Sequence, residues 1–366
     1  MFENELKSLE NQNRLRSLNL PNGIDLTSND YLGMATHPEL RKAAINALEH
    51  NIDIGAAGSR LLRGHTQSHK DLEDFASTYF NAGGCLYFSS GFQANYALIS
   101  TLPKRGDIIL YDSLVHASMR DGLQSTNAKS YKFPHNNANA LESLLRKNHN
   151  KAKKLWIMVE TVYSMDGDRA PLDEIYALAE QYNAHIIADE AHATGVYGHK
   201  GKGLCWDIIQ KHGYEHLTTL HTCGKAIGVA GGLVCGSKEM IDYLINTARP
   251  FIYTTAPMPM QALLVQKSLE ILATDEGKKR REKLHTLCAE GQKLFGGAGT
   301  QIIPVILGSD ENAMNMAVRL QKNGYDIRAI RPPTVPEGTS RLRISLSSPL
   351  EIQTLHDIRN HLDSPI

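Results

Sequence analysis

The sequence is short of the features that mark secreted, membrane-spanning or nucleic-acid-binding chains. It has only five cysteines, Cys85, Cys205, Cys223, Cys235 and Cys288. Their number is odd and no two have zinc-site spacing, which argues against a disulfide framework and leaves no metal site to propose. Excess charge is also missing: Lys+Arg and Asp+Glu both number 39. A nucleic-acid partner would need a basic surface to displace counterions from phosphates, so none is expected. No run is long and apolar enough to span a bilayer. The opening Met1-Phe2-Glu3-Asn4-Glu5-Leu6 is polar and acidic, without the apolar core of a signal peptide. The expectation is a soluble, cytoplasmic protein with reduced thiols and no membrane partner. There is no internal repeat and no low-complexity tract. No G-x-G-x-x-G opens a βα unit, so a nicotinamide dehydrogenase lacks its fingerprint.

What is present is a chain of 366 residues, 42% hydrophobic and 21% charged, long enough for two or three domains. Leu86–Phe88, Ile108–Tyr111, Leu155–Val159, Ile186–Ala188 and Leu217–Leu220 read as buried strands, with Leu233–Cys235 as a further one. Amphipathic stretches such as Leu172–Tyr182 lie between some of them. This alternation predicts an α/β fold with a large, mostly parallel sheet covered on both faces. Functional groups in such sheets gather at the carboxyl ends of strands. From about residue 270 the rhythm changes to a charged helix (276–294), strands at 302–307, 326–330 and 341–346, and helices near 313–323 and 350–362. That predicts a smaller α+β domain. The expected division is an N-terminal segment 1–45, a large domain 46–265 and a C-terminal small domain 266–366.

Five segments follow predicted strands and carry chemistry. Asp189-Glu190-Ala191-His192 ends an apolar run. Asp189 there is either a helix cap or an acid that keeps a pyridine nitrogen protonated, with His192 near a phenolic oxygen. Thr222-Cys223-Gly224-Lys225 ends another run. Lys225 sits among small residues, where shielding from water would make it a nucleophilic amine; most lysines are simply solvated. Ser89-Ser90-Gly91-Phe92 leads into a helix whose first N–H groups attract an anion, or is a plain strand-to-helix turn. His116, in Asp112-Ser113-Leu114-Val115-His116, could lie flat on an aromatic cofactor or be one of 16 histidines satisfied locally. Ser164 offers a hydroxyl just before the turn Asp166-Gly167. Singly each signal is weak. A parallel sheet would bring all five to one rim.

Together these segments resemble the α-oxoamine synthase family of fold-type-I pyridoxal-5′-phosphate (PLP) enzymes. The likeness also takes in Ser28-Asn29-Asp30-Tyr31-Leu32-Gly33, Gly58-Ser59-Arg60, His116-Ala117-Ser118 and Pro332-Pro333-Thr334-Val335-Pro336, so it covers almost the whole chain in order. It implies a homodimer with active sites at the subunit interface and PLP held as a Schiff base on Lys225. It implies Asp189 on the pyridine nitrogen, His116 stacked on the ring, and His192 and Ser164 on its polar substituents. Gly91 and Phe92 amides with Thr222 would hold the phosphate, and Thr254 and Thr255 would reach the partner's phosphate.

Members of the family join an amino acid to an acyl thioester. The segment from Ile330 to Arg343 is similar to that of members using L-alanine and a pimeloyl thioester in biotin synthesis. By that likeness Arg331, with Thr334 beside it, contacts a substrate carboxylate, and an early arginine, Arg16 rather than Arg14, faces the acyl substrate. Rival pairs are glycine with acetyl- or succinyl-CoA and serine with a long-chain acyl-CoA. An aminotransferase and a non-catalytic PLP-binding protein are further alternatives. The chain departs from the family pattern in a shorter amino-terminal region, in Arg63 where relatives carry a small hydroxyl residue, and in Ile227 for an aromatic residue or leucine.

Overall fold

The structure is a computed structural model that describes residues 2–363; Met1 and residues 364–366 lie outside the described residues. The chain forms two compact units. The larger comprises Leu32–Tyr163 and Arg169–Arg281, the smaller the described residues before Leu32, Ser164–Asp168 and those after Arg281. The second boundary falls later than the 265/266 division read from the sequence. Its cause is the helix Pro259–Leu272, which packs on the helices Gln67–Tyr79 and Pro38–Glu49 of the large unit.

The large unit is built on a seven-stranded sheet. In spatial order its strands are Gly84–Phe88, Gly232–Gly236, Leu217–Thr222, Ala184–Asp189, Leu155–Glu160, Ile108–Asp112 and Lys129–Phe133. Every pair from Leu217–Thr222 onward is parallel. Gly232–Gly236 is antiparallel to both its neighbours, so Gly84–Phe88 again runs with the majority. Leu155–Glu160 is buried along its whole length, as a strand covered on both faces must be. Lys129–Phe133 escaped the sequence reading. It is an edge strand paired on one side only, and its first four residues, Lys-Ser-Tyr-Lys, are exposed. Such polar edges blunt pairing with other chains and carry no apolar signal.

The small unit has an antiparallel three-stranded sheet ordered Ala329–Ile330, Ser340–Ser345, Ile302–Gly308. The single strand expected at 326–330 is two short ones. Tyr325–Asp326 pairs in parallel with Ile24–Asp25, whereas Ala329–Ile330 joins the three-stranded sheet, so the chain changes partners at Ile327-Arg328. The turn at Asp166-Gly167 belongs to this unit. Gly167 has φ +72°, and a Cβ there would lie 2.3 Å from the Ile302 carbonyl oxygen. All five cysteines are buried and free. Among the described residues no group of His, Cys, Asp and Glu could hold a metal, and no helix is long and apolar enough to cross a membrane.

The large unit buries histidines as neutral packing groups. His221 is fully buried, stacks on Phe80 with centroids 3.7 Å apart, and lies 2.8 Å from the hydroxyls of both Thr194 and Thr219. Burial pushes its pKa down to about 3. Burial likewise lowers His69 and His185 to about 4. The unfolded chain therefore binds protons between about pH 6.5 and 3 that the folded chain does not, and stability falls as pH drops through that window. Replacing His221 by Gln is expected to lower the melting temperature at pH 7 but to leave a shallower pH dependence. The gap between wild type and His221→Gln should narrow toward pH 4 in thermal melts; a gap that stays constant would contradict the neutral buried state.

Candidate active site

The carboxyl ends of the parallel strands place the large unit's candidate residues. Gly84–Phe88 leads through Ser89-Ser90 into the helix Gly91–Thr101. Ser90 is its N-cap, and the Ser90 hydroxyl accepts the Gln93 N–H at 3.1 Å. The Gln93 side chain in turn accepts the Ser89 N–H at 3.0 Å, which closes the turn. The N–H groups of Gly91 and Phe92 then have no hydrogen-bond partner among the described residues. Thr222, ending the strand Leu217–Thr222, brings its hydroxyl to the same place. A Cβ on Gly91 would lie 2.1 Å from Thr222 Oγ1, so only glycine permits the approach. Two amides, a hydroxyl and a helix N-terminus make a cradle for a phosphate.

Lys225 stands three residues past that strand, half-buried in a loop folded on itself. Cys223 N–H donates to Gly231 O, Val229 N–H to Cys223 O and Gly228 N–H to Lys225 O. The Ser268 hydroxyl pins the loop through Ile227 O at 2.6 Å. Lys225 Nζ lies 2.7 Å from His192 Nε2. His192 itself is buried, one turn beyond Asp189. Asp189 is also buried, and both its oxygens are held: Oδ1 accepts the Ala191 N–H at 2.9 Å and Oδ2 accepts Asn95 Nδ2 at 2.7 Å.

His116 caps the helix Ala117–Ser125. Its Nδ1 accepts the Ser118 N–H at 3.2 Å and lies 2.8 Å from the Ser118 hydroxyl. Burial lowers the ring's pKa; nearby Asp189 opposes this and Lys225 reinforces it. A neutral imidazole beside Phe92, whose ring meets it edge-on at 6.5 Å, is a face for an aromatic ring. Glu190 turns the other way. It is fully buried, accepts the Cys205 and Leu204 N–H groups and the Thr161 hydroxyl, and burial pushes its pKa up. Within Asp-Glu-Ala-His, therefore, Asp189 and His192 lie beside Asn95 and Lys225, whereas Glu190 anchors the Leu204–Cys205 backbone. Thr254 and Thr255 lie in the link between the helices Arg249–Ile252 and Pro259–Leu272, Thr255 exposed.

The small unit carries the other predicted residues. Arg343 Nε donates to the Ser164 carbonyl at 2.6 Å, while its Nη atoms reach Ser345, Asn29 and Tyr31. Arg341 pairs with Asp166 at 2.5 Å. These two arginines hold the segment Ser164–Asp168 against the Asn29–Tyr31 segment, which sequence reasoning did not foresee. A second group gathers Arg14, Arg16, Arg331 and Thr334. Arg14 is ion-paired with Asp310 and Glu337, both near 2.8 Å. Arg16 instead donates to Thr334 Oγ1 at 3.2 Å, and Arg331 donates to the Asn13 carbonyl. Neither bond of Arg16 or Arg331 is to a carboxylate, although Asp310 lies close enough to Arg331 to interact with its charge. Burial and the neighbouring Arg16 lower the pKa of Arg331, against the opposing carboxylate of Asp310.

The residues present fit PLP in chemistry: a phosphate cradle, a flat neutral imidazole, a buried carboxylate and a half-buried amine. Gly91→Ala should close the cradle and raise the PLP dissociation constant at least tenfold, measured by quenching of intrinsic fluorescence. An unchanged constant would remove Gly91 and Thr222 from the phosphate site.

Comparison with known proteins identifies the family. The model of the family "Aminotransferase class I and II" matches residues 21–360. The 8-amino-7-oxononanoate synthase of Chromobacterium violaceum is 41% identical over 372 residues, covering 96% of this chain and 94% of that protein. A serine palmitoyltransferase from S. paucimobilis, solved with PLP and myriocin bound, superposes with a TM-score of 0.88 at 28% identity, covering 98% and 97% of the two chains. The 8-amino-7-oxononanoate synthase of Francisella tularensis superposes with a TM-score of 0.79 at 27% identity, covering 93% and 96%. A sheet whose strand ends assemble Gly91, His116, Asp189, Thr222 and Lys225, matched along nearly its full length, belongs to the class I and II aminotransferase family, in its α-oxoamine synthase branch.

Proposed function

We propose that this chain joins L-alanine to a pimeloyl thioester to give 8-amino-7-oxononanoate, a step in biotin biosynthesis. The observation that carries this reading is the likeness to the C. violaceum synthase over 96% of the chain. The cofactor is PLP. When bound, it supplies an aldehyde that amines attach to covalently and a ring that accepts the electron pair left at Cα of the amino acid.

The chain's own residues do the rest. Gly91 and Phe92 amides with the Thr222 hydroxyl bind the phosphate. His116 would offer its imidazole face to the ring, and the buried Asp189 carboxylate would keep the pyridine nitrogen protonated. Lys225 would hold the cofactor, and its amine would take the Cα proton of the amino acid as general base. His192, 2.7 Å from Nζ, would fix the amine and bond a polar substituent of the ring, the role the family resemblance also gives Ser164. The cationic group of the small unit takes carboxylates: Arg331 with Thr334 that of one substrate, Arg16 that of the acyl chain. Arg14 is already neutralised by Asp310 and Glu337, so Arg16 is the better assignment. Overall, alanine and the thioester yield the amino ketone, carbon dioxide and a free thiol, either coenzyme A or a carrier protein.

We also read the protein as a cytoplasmic homodimer. The exposed apolar side chains Ile54, Leu62 and Tyr253 of the large unit are then covered by the partner, and Thr254 and Thr255 meet the partner's phosphate.

A matrix of alanine, glycine and serine against pimeloyl, acetyl, succinyl and palmitoyl thioesters, read as free thiol, tests the substrate pair. Alanine with the pimeloyl donor should exceed every other pair; glycine matching alanine throughout would contradict it, and turnover without thiol release would indicate an aminotransferase. Arg16→Ala should raise KM for the pimeloyl thioester about tenfold or more with less effect on kcat. Arg14→Ala should instead lower the melting temperature. The reverse pattern in steady-state kinetics and melts would exchange their roles.

A further inference from the structure

The helix that offers its N-terminus to phosphate also carries, one turn on, a buried amide with no packing role of its own. Asn95 is 1% exposed among Ala94, Ala97 and Leu98. Its Nδ2 donates to Asp189 Oδ2 at 2.7 Å and to Ser118 Oγ at 3.0 Å. The partner settles the amide's orientation, because a carboxylate only accepts and must face the NH2 group. Asn95 Oδ1 is consequently buried without a partner. A residue present only to fill space would be leucine or methionine and would bury no orphaned carbonyl. The two N–H donors are therefore what the position requires.

The direction of each bond can be followed outward. Ser118 is fully buried; having accepted from Asn95, it turns its hydroxyl hydrogen to His116 Nδ1, 2.8 Å away. The Ser118 backbone N–H points at the same nitrogen. With Nδ1 accepting, the neutral imidazole carries its proton on Nε2.

We infer that Asn95 and Ser118 are positioning residues that tie the Asp189 carboxylate to the His116 ring and fix His116 as its Nε2–H tautomer, so that the two groups proposed to hold the cofactor are set together. The inference deepens the proposed function and rests on its assignment of PLP, though not on the choice of alanine or acyl donor. Neither residue touches the reacting atoms. Asn95 has two donors for two acceptors, so loss of either bond frees a donor that the other site does not use.

The test uses the full-length protein. In 15N-labelled apoprotein, the His116 ring nitrogens should show the Nε2–H pattern. Ser118→Ala, which leaves only the backbone N–H on Nδ1, should shift the Nδ1 resonance, while Ser118→Thr, which keeps the hydroxyl, should restore the wild-type pattern. Asn95→Leu, close to isosteric, should weaken PLP binding roughly 10- to 100-fold, the loss of one hydrogen bond to a charged group. Should Asn95→Leu fail to fold, the Ser118 pair alone decides. Unchanged His116 nitrogen shifts in Ser118→Ala, or Asn95→Leu with wild-type PLP affinity, would overturn the inference. Both readouts precede any acyl substrate, so an error in the alanine and pimeloyl assignment shows in the thiol-release matrix and leaves these results standing.

Discussion

Strand direction is the constraint on which the large unit's site depends. Five neighbouring strands of the sheet run the same way, and Gly84–Phe88 joins them through one reversed strand. Their last residues therefore emerge at one edge, where Ser90-Gly91, His116, Asp189 and Thr222-x-x-Lys225 follow within a few residues. None of these side chains is adjacent to all the others in sequence. Parallel pairing, which needs a helix between strands and buried apolar runs within them, is what converts scattered segments into one chemical neighbourhood.

The motifs divide their labour more finely than their spacing suggests. In Asp189-Glu190-Ala191-His192 the first residue meets Asn95 and the last meets Lys225, while Glu190 is wholly buried and gives its oxygens to the amides of Leu204 and Cys205. In Asp112-x-x-x-His116 the aspartate accepts the Leu114 and Asn136 N–H groups and pairs with His135, which fixes the loop that presents His116. His135 and those amides hold the Asp112 carboxyl below its usual range in spite of burial. Arg343 does comparable work in the small unit through Ser164, Asn29 and Tyr31.

That distinction also explains what could be read from the sequence. Apolar runs such as Leu155–Val159 announce buried strands, and glycine, hydroxyl, acid and lysine after such runs announce a cofactor site. The exposed strand Lys129–Phe133 has no apolar run to announce it. Partner switching at Ile327-Arg328 depends on which strand lies alongside, a tertiary fact that local pattern does not encode. Asn95 left a trace, a polar residue on an otherwise apolar stretch of helix, but its meaning needed the location of Asp189, 94 residues away. The choice between Arg14 and Arg16 was open in the sequence because both are arginines; it rests on Asp310 and Glu337, which neutralise only the first.

The central claim is that the half-buried amine of Lys225, held at His192, carries the cofactor. Borohydride reduction of the PLP-loaded protein, followed by proteolysis and mass spectrometry, tests it most directly. The account predicts a pyridoxyl label on the peptide containing Lys225 and on no other lysine. A label at another lysine, or none, would contradict it.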